Sequence, residues 1–320
     1  MKIVILNGAS SNPGDLPWDM FIANHPSIEI YSHVSTEKET IEKIHDAEIV
    51  LAPGVKFTPA LMETDPKLRY IGMMSTGYDL VDTAYCSQHG ITVTNIPTYG
   101  TQMVSQFAFA LLLEICCRVG HHSEAVHEGR WMASGRRMFW DYPIIELQGK
   151  TMGVIGFGRI GKTTAMLGQA FNMQVVYYDK YRALDYETAT CRYMPLGELL
   201  AISDVIFLHS LLSEETYHLI NAASIRKMKD GVILINNARG ALIEEQSLVD
   251  ALRSGKIYAA GLDTVENEPI PDTSPLLKAP NCYITPHISW VSRESRLRLL
   301  HTAAQNLDSY LAGKPENVVV

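Results

Sequence analysis

"TMGVIGFGRIG" (151–161) is the stretch on which the fold turns. A strand-like run ends at Gly156, and Gly158 and Gly161 complete a GxGxxG spacing just before a helical pattern begins. In such a unit the first glycine permits a tight turn. The second lets the backbone approach a pyrophosphate at the helix N-terminus, and the third lets helix pack closely on strand. The next apolar run, "MQVVYYD" (173–179), ends in Asp179, 23 residues after Gly156, where an acid meets the adenine ribose hydroxyls. Glycine turns occur in many α/β sheets, so the motif alone is weak. Strand, turn, helix, strand and acid in that order read as a dinucleotide site. A carboxylate at 179 repels a 2′-phosphate, so NAD is expected over NADP, with Lys180 and Arg182 as neighbouring charges that soften the preference.

Working outward, the same alternation continues on both sides. After the glycine run come strand candidates "DVIFLHS" (204–210), "GVILIN" (231–236), "IYAAGLD" (257–263) and "CYIT" (282–285), with helical segments such as 159–171 and 244–254 between several of them. The first hundred residues repeat the pattern with "KIVILN" (2–7), "AEIVLAP" (47–53), "RYIGMMS" (69–75) and "ITVTNI" (91–96). Helical stretches at 37–46 and 80–90 separate them. Apolar strands separated by helices predict parallel sheets covered on both faces, here two doubly wound α/β domains in tandem. A long helix from Thr101 to about Gly120, apolar almost all round, is expected between larger bodies. The segment 127–149 is irregular, basic and rich in large aromatics, Trp131, Phe139, Trp140 and Tyr142, and suits either a fold-back or contact with a second subunit. A last helix spans about 292–311.

Composition excludes several classes. A length of 320 residues suits two domains, and 47% hydrophobic with 19% charged residues is the balance of a globular protein. The net charge of −8, without an offsetting basic run, argues against nucleic acid or an anionic membrane as partner. The N-terminal "MKIVILNGAS" has too short an apolar run for a signal peptide, and "FAFALLLEICC" (107–117) is too short and broken by Glu114 for a membrane span. Five cysteines without a CxxC pair fit reduced thiols in a cytoplasmic protein. "HHSEAVH" (121–127) lacks the spacing of a zinc helix, and no metal is expected.

Three strand ends carry unusual polar groups. "INNARG" (235–240) places Arg239 just past a strand, "GLDTVENEP" (261–269) brings Asp263, Glu266 and Glu268, and "ITPHISW" (284–290) carries His287. Open α/β sheets bind ligands outside the carboxyl ends of their strands, so these groups can converge. An arginine holds a substrate carboxylate, a histidine delivers a proton to a carbonyl oxygen as hydride transfers, and a carboxylate orients and stabilises the imidazolium. Each also has a plain structural alternative: a surface ion pair, a solvated loop charge, a packed core histidine.

"GFGRIG", "NNARG", "GLDTVENEP" and "TPHISW", in that order, resemble the D-2-hydroxyacid dehydrogenase family across essentially the whole chain. "STGYDLVD" (75–82), "NIPTYGT" (95–101) and "MFWDYP" (138–143) look most like its glycerate dehydrogenase (hydroxypyruvate reductase) branch. The resemblance implies a flavodoxin-like substrate domain, 1–100 with 288–320, and an inserted Rossmann NAD-binding domain, 101–287, with the active site in the cleft between them. It implies Arg239, Glu268 and His287 as the catalytic set, Glu268 rather than Glu266 being the acid before Pro269. It implies NAD contacts from Thr76, Val104, Gly156, Gly158, Arg159, Ile160, Gly161, Asp179, Ser210, Asn237, Ala238 and Asp263. Ser75, Thr76 and Gly77, with Arg239, would receive a small 2-keto or 2-hydroxy acid, most like hydroxypyruvate and D-glycerate, and a homodimer is implied. Glyoxylate, pyruvate or bulkier 2-keto acids, phosphite oxidation, and an NAD(H)-sensing corepressor-like protein are the rival readings. The chain departs from the commoner family pattern at Leu211, Gln106 and Trp290.

Overall fold

The computed structural model describes every residue, Met1–Val320. The chain divides into two compact units, Met1–Gly100 with Trp290–Val320, and Thr101–Ser289.

In the first unit, short apolar runs become strands β1 (Ile3–Ile5), β2 (Glu29–Ile30), β3 (Ile49–Ala52), β4 (Tyr70–Met73) and β5 (Thr92–Thr94). They form one sheet in the order β2-β1-β3-β4-β5, with every pair parallel. That is the flavodoxin-like order. Strands β3 and β4 are buried along their whole length, the mark of a sheet covered on both faces. Helix ends are set locally. Thr36 caps Glu37–Ile44 through the Glu39 amide, and Asp82 caps Thr83–His89, which stops at Gly90 in a left-handed conformation. The last helix, Arg293–Leu311, lays Leu299, Leu300, Ala303, Ala304 and Leu307 into a core with Ile3, Ile5, Phe21, Ile49 and Leu51. Beyond it the C-terminal tail meets β5, where the Val93 N–H donates to the Val320 carbonyl at 2.7 Å.

The second unit holds β6 (Thr151–Ile155), β7 (Gln174–Tyr178), β8 (Cys191–Tyr193), β9 (Val205–Leu208), β10 (Val232–Asn236), β11 (Ile257–Leu262) and β12 (Cys282–Ile284). Their order is β12-β11-β10-β9-β6-β7-β8, again all parallel. The chain runs outward from β6 to β7 and β8 on one side, then returns to place β9 on the other. Such a reversal opens a crevice at the carboxyl ends of β6 and β9. Alternate strand residues go to separate cores: Ile155, Ile206, Leu208 and Leu234 to one, Val154, Phe207, Ile233 and Ile235 to the other.

Three details differ from the expectations. Strands β2 and β8 are edge strands of two and three residues, too short to leave a hydrophobic signature. The long helix ends at Cys117 rather than near Gly120, and a second helix, Val119–His127, leaves it at 57°. Arg118 makes the break with φ of 52°; it is buried, its guanidinium 4.7 Å from the Tyr142 ring and 4.9 Å from that of Tyr283, and it donates to Asn281 Oδ1 at 3.0 Å. Segment 127–149 is not wholly irregular, since Arg130–Ser134 is a helical turn. No single helix is long and apolar enough to cross a membrane.

Candidate active site

The glycine loop has the shape that its spacing predicts. Gly156 leaves β6 with φ of 92°, and a Cβ there would lie 2.3 Å from the Ser210 nitrogen, so a side chain is excluded on both counts. A Cβ on Gly161 would sit 2.1 Å from the Gly156 carbonyl oxygen, whereas one on Gly158 would meet nothing within 4 Å. The helix Arg159–Ala170 begins at once, with Arg159 exposed and Ile160 half-buried on its first turn. The Ile160 carbonyl accepts from Ser105 Oγ at 3.2 Å, which ties this turn to the helix Thr101–Cys117. Asp179 follows β7, and its carboxylate accepts from the Phe157 N–H inside the glycine loop at 2.6 Å and from the Tyr181 N–H at 3.2 Å.

Four buried polar atoms at the ends of the adjacent strands β9, β10 and β11 lack a protein partner: His209 Nε2, Ser210 Oγ, Asn237 Oδ1 and Thr264 Oγ1. Burial without a hydrogen bond costs about 1–3 kcal/mol per group, so such a set at one crevice is the signature of a polar ligand. Burial pushes the His209 imidazole down to about 3, so it is neutral and offers one donor and one acceptor. The glycine cradle, Asp179 and these unpartnered atoms together fit a dinucleotide. The other Asn237 atom, Nδ2, donates to the Val104 carbonyl at 2.9 Å and to Ser289 Oγ at 3.3 Å, so the loop after β10 is anchored to the helix carrying Val104.

The loops carrying Arg239, Glu268 and His287 are held by their neighbours. Asn236, fully buried at the end of β10, donates to the Arg239 carbonyl at 2.8 Å and accepts from the Ala238 N–H at 3.1 Å. Arg239 Nη1 donates to the Ala238 carbonyl at 2.8 Å. A Cβ on Gly240 would lie 1.9 Å from the Val265 carbonyl carbon, so this glycine alone lets the arginine loop press against the loop that carries Glu268. Asp263 is 1% exposed and works as a clamp: Oδ1 accepts from Thr285 Oγ1 at 2.6 Å and the Ile288 N–H at 2.9 Å, Oδ2 from the Ser289 N–H at 2.7 Å. The clamped loop puts His287 at φ of 56°, unusual for a residue with a side chain, with its N–H on the Asp263 carbonyl at 2.9 Å.

So placed, His287 Nδ1 lies 2.7 Å from Glu268 Oε2. A carboxylate only accepts, so Nδ1 carries the proton of this bond and Nε2 is left to exchange one. Burial acts to raise the Glu268 carboxyl, but the His287 hydrogen bond and charge, the Val265 N–H and the Arg239 charge outweigh it and hold it below the usual glutamate value. Glu266 faces elsewhere. It accepts from Tyr217 OH at 3.1 Å and pairs with His218 Nε2 at 3.2 Å, while its N–H donates to Glu245 Oε1 at 3.1 Å. The structure therefore separates two acids that sequence spacing could not.

Ser75, Thr76 and Gly77 belong to the first unit, at the carboxyl end of β4. Ser75 Oγ donates to the Gly77 carbonyl at 2.6 Å, Thr76 Oγ1 to the Ile96 carbonyl at 2.9 Å, and Asn95 Nδ2 to the Thr76 carbonyl at 2.7 Å. Trp290 packs edge-on against Tyr99 with ring centres 5.9 Å apart. Leu211 is 71% exposed. Sequence reasoning did not single out Asn236, Gly240, Thr285, Ser289 or His209. Each lies inside or beside a quoted motif, and only its partners reveal what it holds. His121, His122 and Asp141 do bring ligand-type atoms within 4.8 Å of one another. Arg130 grips both Asp141 oxygens at 2.9 and 3.0 Å, however, and His122 Nε2 accepts the Asp141 N–H at 3.2 Å, so the cluster is already satisfied.

A parallel doubly wound sheet with a glycine cradle, an acid at the end of the next strand that is bonded into the glycine loop, and a paired histidine and glutamate defines a nicotinamide-dependent oxidoreductase. Residues 109–289 match the NAD-binding domain of the D-isomer specific 2-hydroxyacid dehydrogenases. The chain belongs to that family. It is 52% identical to a hydroxypyruvate reductase of Blautia hydrogenotrophica, over 100% of this chain and 99% of that one. It is 35% identical to a glycerate dehydrogenase of Methylorubrum extorquens, over 90% of each chain. Among solved structures, a D-lactate dehydrogenase of Aquifex aeolicus complexed with NAD and lactic acid superposes with a TM-score of 0.88, at 31% identity, covering 100% of this chain and 99% of that one.

Proposed function

We propose that the protein reduces hydroxypyruvate to D-glycerate with NADH, and that Arg239, Glu268 and His287 carry the reaction. The observation that supports the roles best is the 2.7 Å bond from His287 Nδ1 to a Glu268 carboxylate held in its charged form. In this reading the Arg239 guanidinium holds the substrate carboxylate and polarises the neighbouring carbonyl. His287 Nε2 delivers its proton to the carbonyl oxygen, and Glu268 orients the ring and stabilises the imidazolium before that transfer. NAD, when bound, supplies or accepts the hydride. Gly156, Gly158, Arg159, Ile160 and Gly161 would hold its pyrophosphate and Asp179 its adenine ribose. Ser210, Asn237, Ala238, Asp263, Val104 and Thr76 would supply further contacts to it. Backbone amides of Ser75, Thr76 and Gly77 would join Arg239 on the substrate carboxylate. Hydroxypyruvate is preferred to other 2-keto acids because of the relative at 52% identity. Five free cysteines, four of them with thiols pushed up to about 11–12 chiefly by burial, suit a reducing cytoplasm.

The test is NADH consumption by the purified protein with hydroxypyruvate, glyoxylate and pyruvate at matched concentrations. A higher kcat/KM for hydroxypyruvate is the expected result. A preference for either of the others would keep the mechanism and discard the substrate.

A further inference from the structure

We propose that Glu187 is a cofactor-specificity residue, which enforces use of NADH by withholding Arg182 from a 2′-phosphate. The inference rests on the reading that Asp179 faces the adenine ribose. Arg182 follows Asp179 by three residues on the turn after β7, where the Tyr181 N–H closes onto Asp179 Oδ1 at 3.2 Å. An arginine at such a place would ordinarily invite a phosphate, since its fork of donors matches one. Here one edge of that fork is already taken by a carboxylate: Nε meets Glu187 Oε1 at 2.5 Å and Nη2 meets Oε2 at 2.7 Å.

The lock is built into the same scaffold as the ribose acid. Glu187 also accepts from Tyr177 OH at 3.1 Å, and that hydroxyl in turn accepts the Ala183 N–H at 3.0 Å. Tyr177 is fully buried and stacks on Phe157 at 3.7 Å, and Phe157 is the residue whose N–H holds Asp179. The guanidinium lies over the Tyr193 ring as well, 5.5 Å from its centre. Although the Arg182 side chain is 54% exposed, that of Glu187 is only 19% exposed, so the anion is fixed and the cation is drawn to it. Asp179 therefore repels a 2′-phosphate, and Glu187 neutralises an arginine three residues further along that would otherwise welcome one. Lys180 is paired only loosely, 3.7 Å from Glu215, and its pairing is no barrier of this kind.

The experiment measures Kd for NADH and NADPH by fluorescence titration of the full-length protein and its variants, with no turnover required. Glu187→Gln keeps an acceptor for Tyr177 and removes the charge. It should lower the ratio Kd(NADPH)/Kd(NADH) about ten- to a hundredfold, with Kd for NADH within about twofold of wild type. Adding Arg182→Gln should abolish the gain, and Glu187→Ala serves as a second variant should the amide not fold. An unchanged ratio in both Glu187 variants, while Asp179→Asn shifts it, overturns the role of Glu187 and leaves the ribose reading intact. An unchanged ratio in Asp179→Asn as well overturns the ribose reading and the proposal with it. A gain that survives Arg182→Gln also overturns the proposal, since the released group is then not Arg182.

Discussion

A histidine behind a proline and between two isoleucines reads as a core residue, yet the surroundings of His287 are polar on one side. Its backbone is held in the left-handed region by the Asp263 clamp, and its ring faces a carboxylate at 2.7 Å. Replacing it with alanine should lower kcat for hydroxypyruvate by about 10²–10⁴ and leave Kd for NADH unchanged. Turnover within a few-fold of wild type would remove His287 from the mechanism. Glu268 gives a second outcome, in stability. Its carboxyl is held below the ordinary glutamate value, so its contribution is fully present above about pH 4.3 and is lost as pH falls through the lower folded value. The urea midpoint of the wild type should therefore exceed that of Glu268→Gln at neutral pH, and the gap should close on acidification below about pH 4. A gap that persists or widens in acid would contradict this sign.

At the scale of elements, the parallel strands set where each loop begins, and contacts between loops set where each side chain ends up. Gly240 shows the difference. In the sequence it is only the residue after Arg239; in the fold, the Val265 and Glu266 backbone occupies the space a side chain would need. Gly240→Ala should cost about 1–3 kcal/mol of stability, read from denaturant midpoints, and should lower kcat by pushing the Arg239 and Glu268 loops apart. An unchanged midpoint would mean that the loops separate freely. The same contacts settle a choice that spacing left open. Glu266 and Glu268 stand two residues apart at one strand end, and the pairing of Glu266 with Tyr217 and His218 leaves Glu268 for His287. Nothing in the local sequence announces that His218, 48 residues earlier, will arrive there. The break at Arg118 is likewise a tertiary product, since a buried guanidinium between two tyrosine rings overrides the helical pattern around it.

On the scale of the whole molecule, hydrophobic periodicity made the two sheets legible, and the glycine motif marked the one that carries the dinucleotide site. Strand order was not legible, nor were the edge strands β2 and β8, because pairing is chosen by the whole sheet. The segment around residues 130–144 bears on assembly. Trp131 is 47% exposed, Trp140 65% and Met132 86%, while Phe139 is half-buried beside Arg130. Large exposed aromatics so close in sequence favour contact with a second copy of the chain. Sedimentation velocity at micromolar concentration should show a dimer, and replacing Trp131 and Trp140 together with lysine should yield the monomer. A wild-type monomer would discard the dimer, and a dimer that survives the double replacement would move the contact elsewhere.

The sequence by itself determined the parallel α/β class, the glycine cradle and the identities of Arg239, Glu268 and His287 as candidates. It could do so because strand periodicity, turn glycines and strand-end polar residues are local properties, written within a few residues of where they act. Only the tertiary structure decided that Glu266 is drawn away to Tyr217 and His218, how Asp263 holds the 285–289 loop, and that Arg182 is bound by Glu187. Those outcomes depend on groups that folding brings together, and on the cost of leaving a buried charge or donor unpaired, which only the folded chain can satisfy.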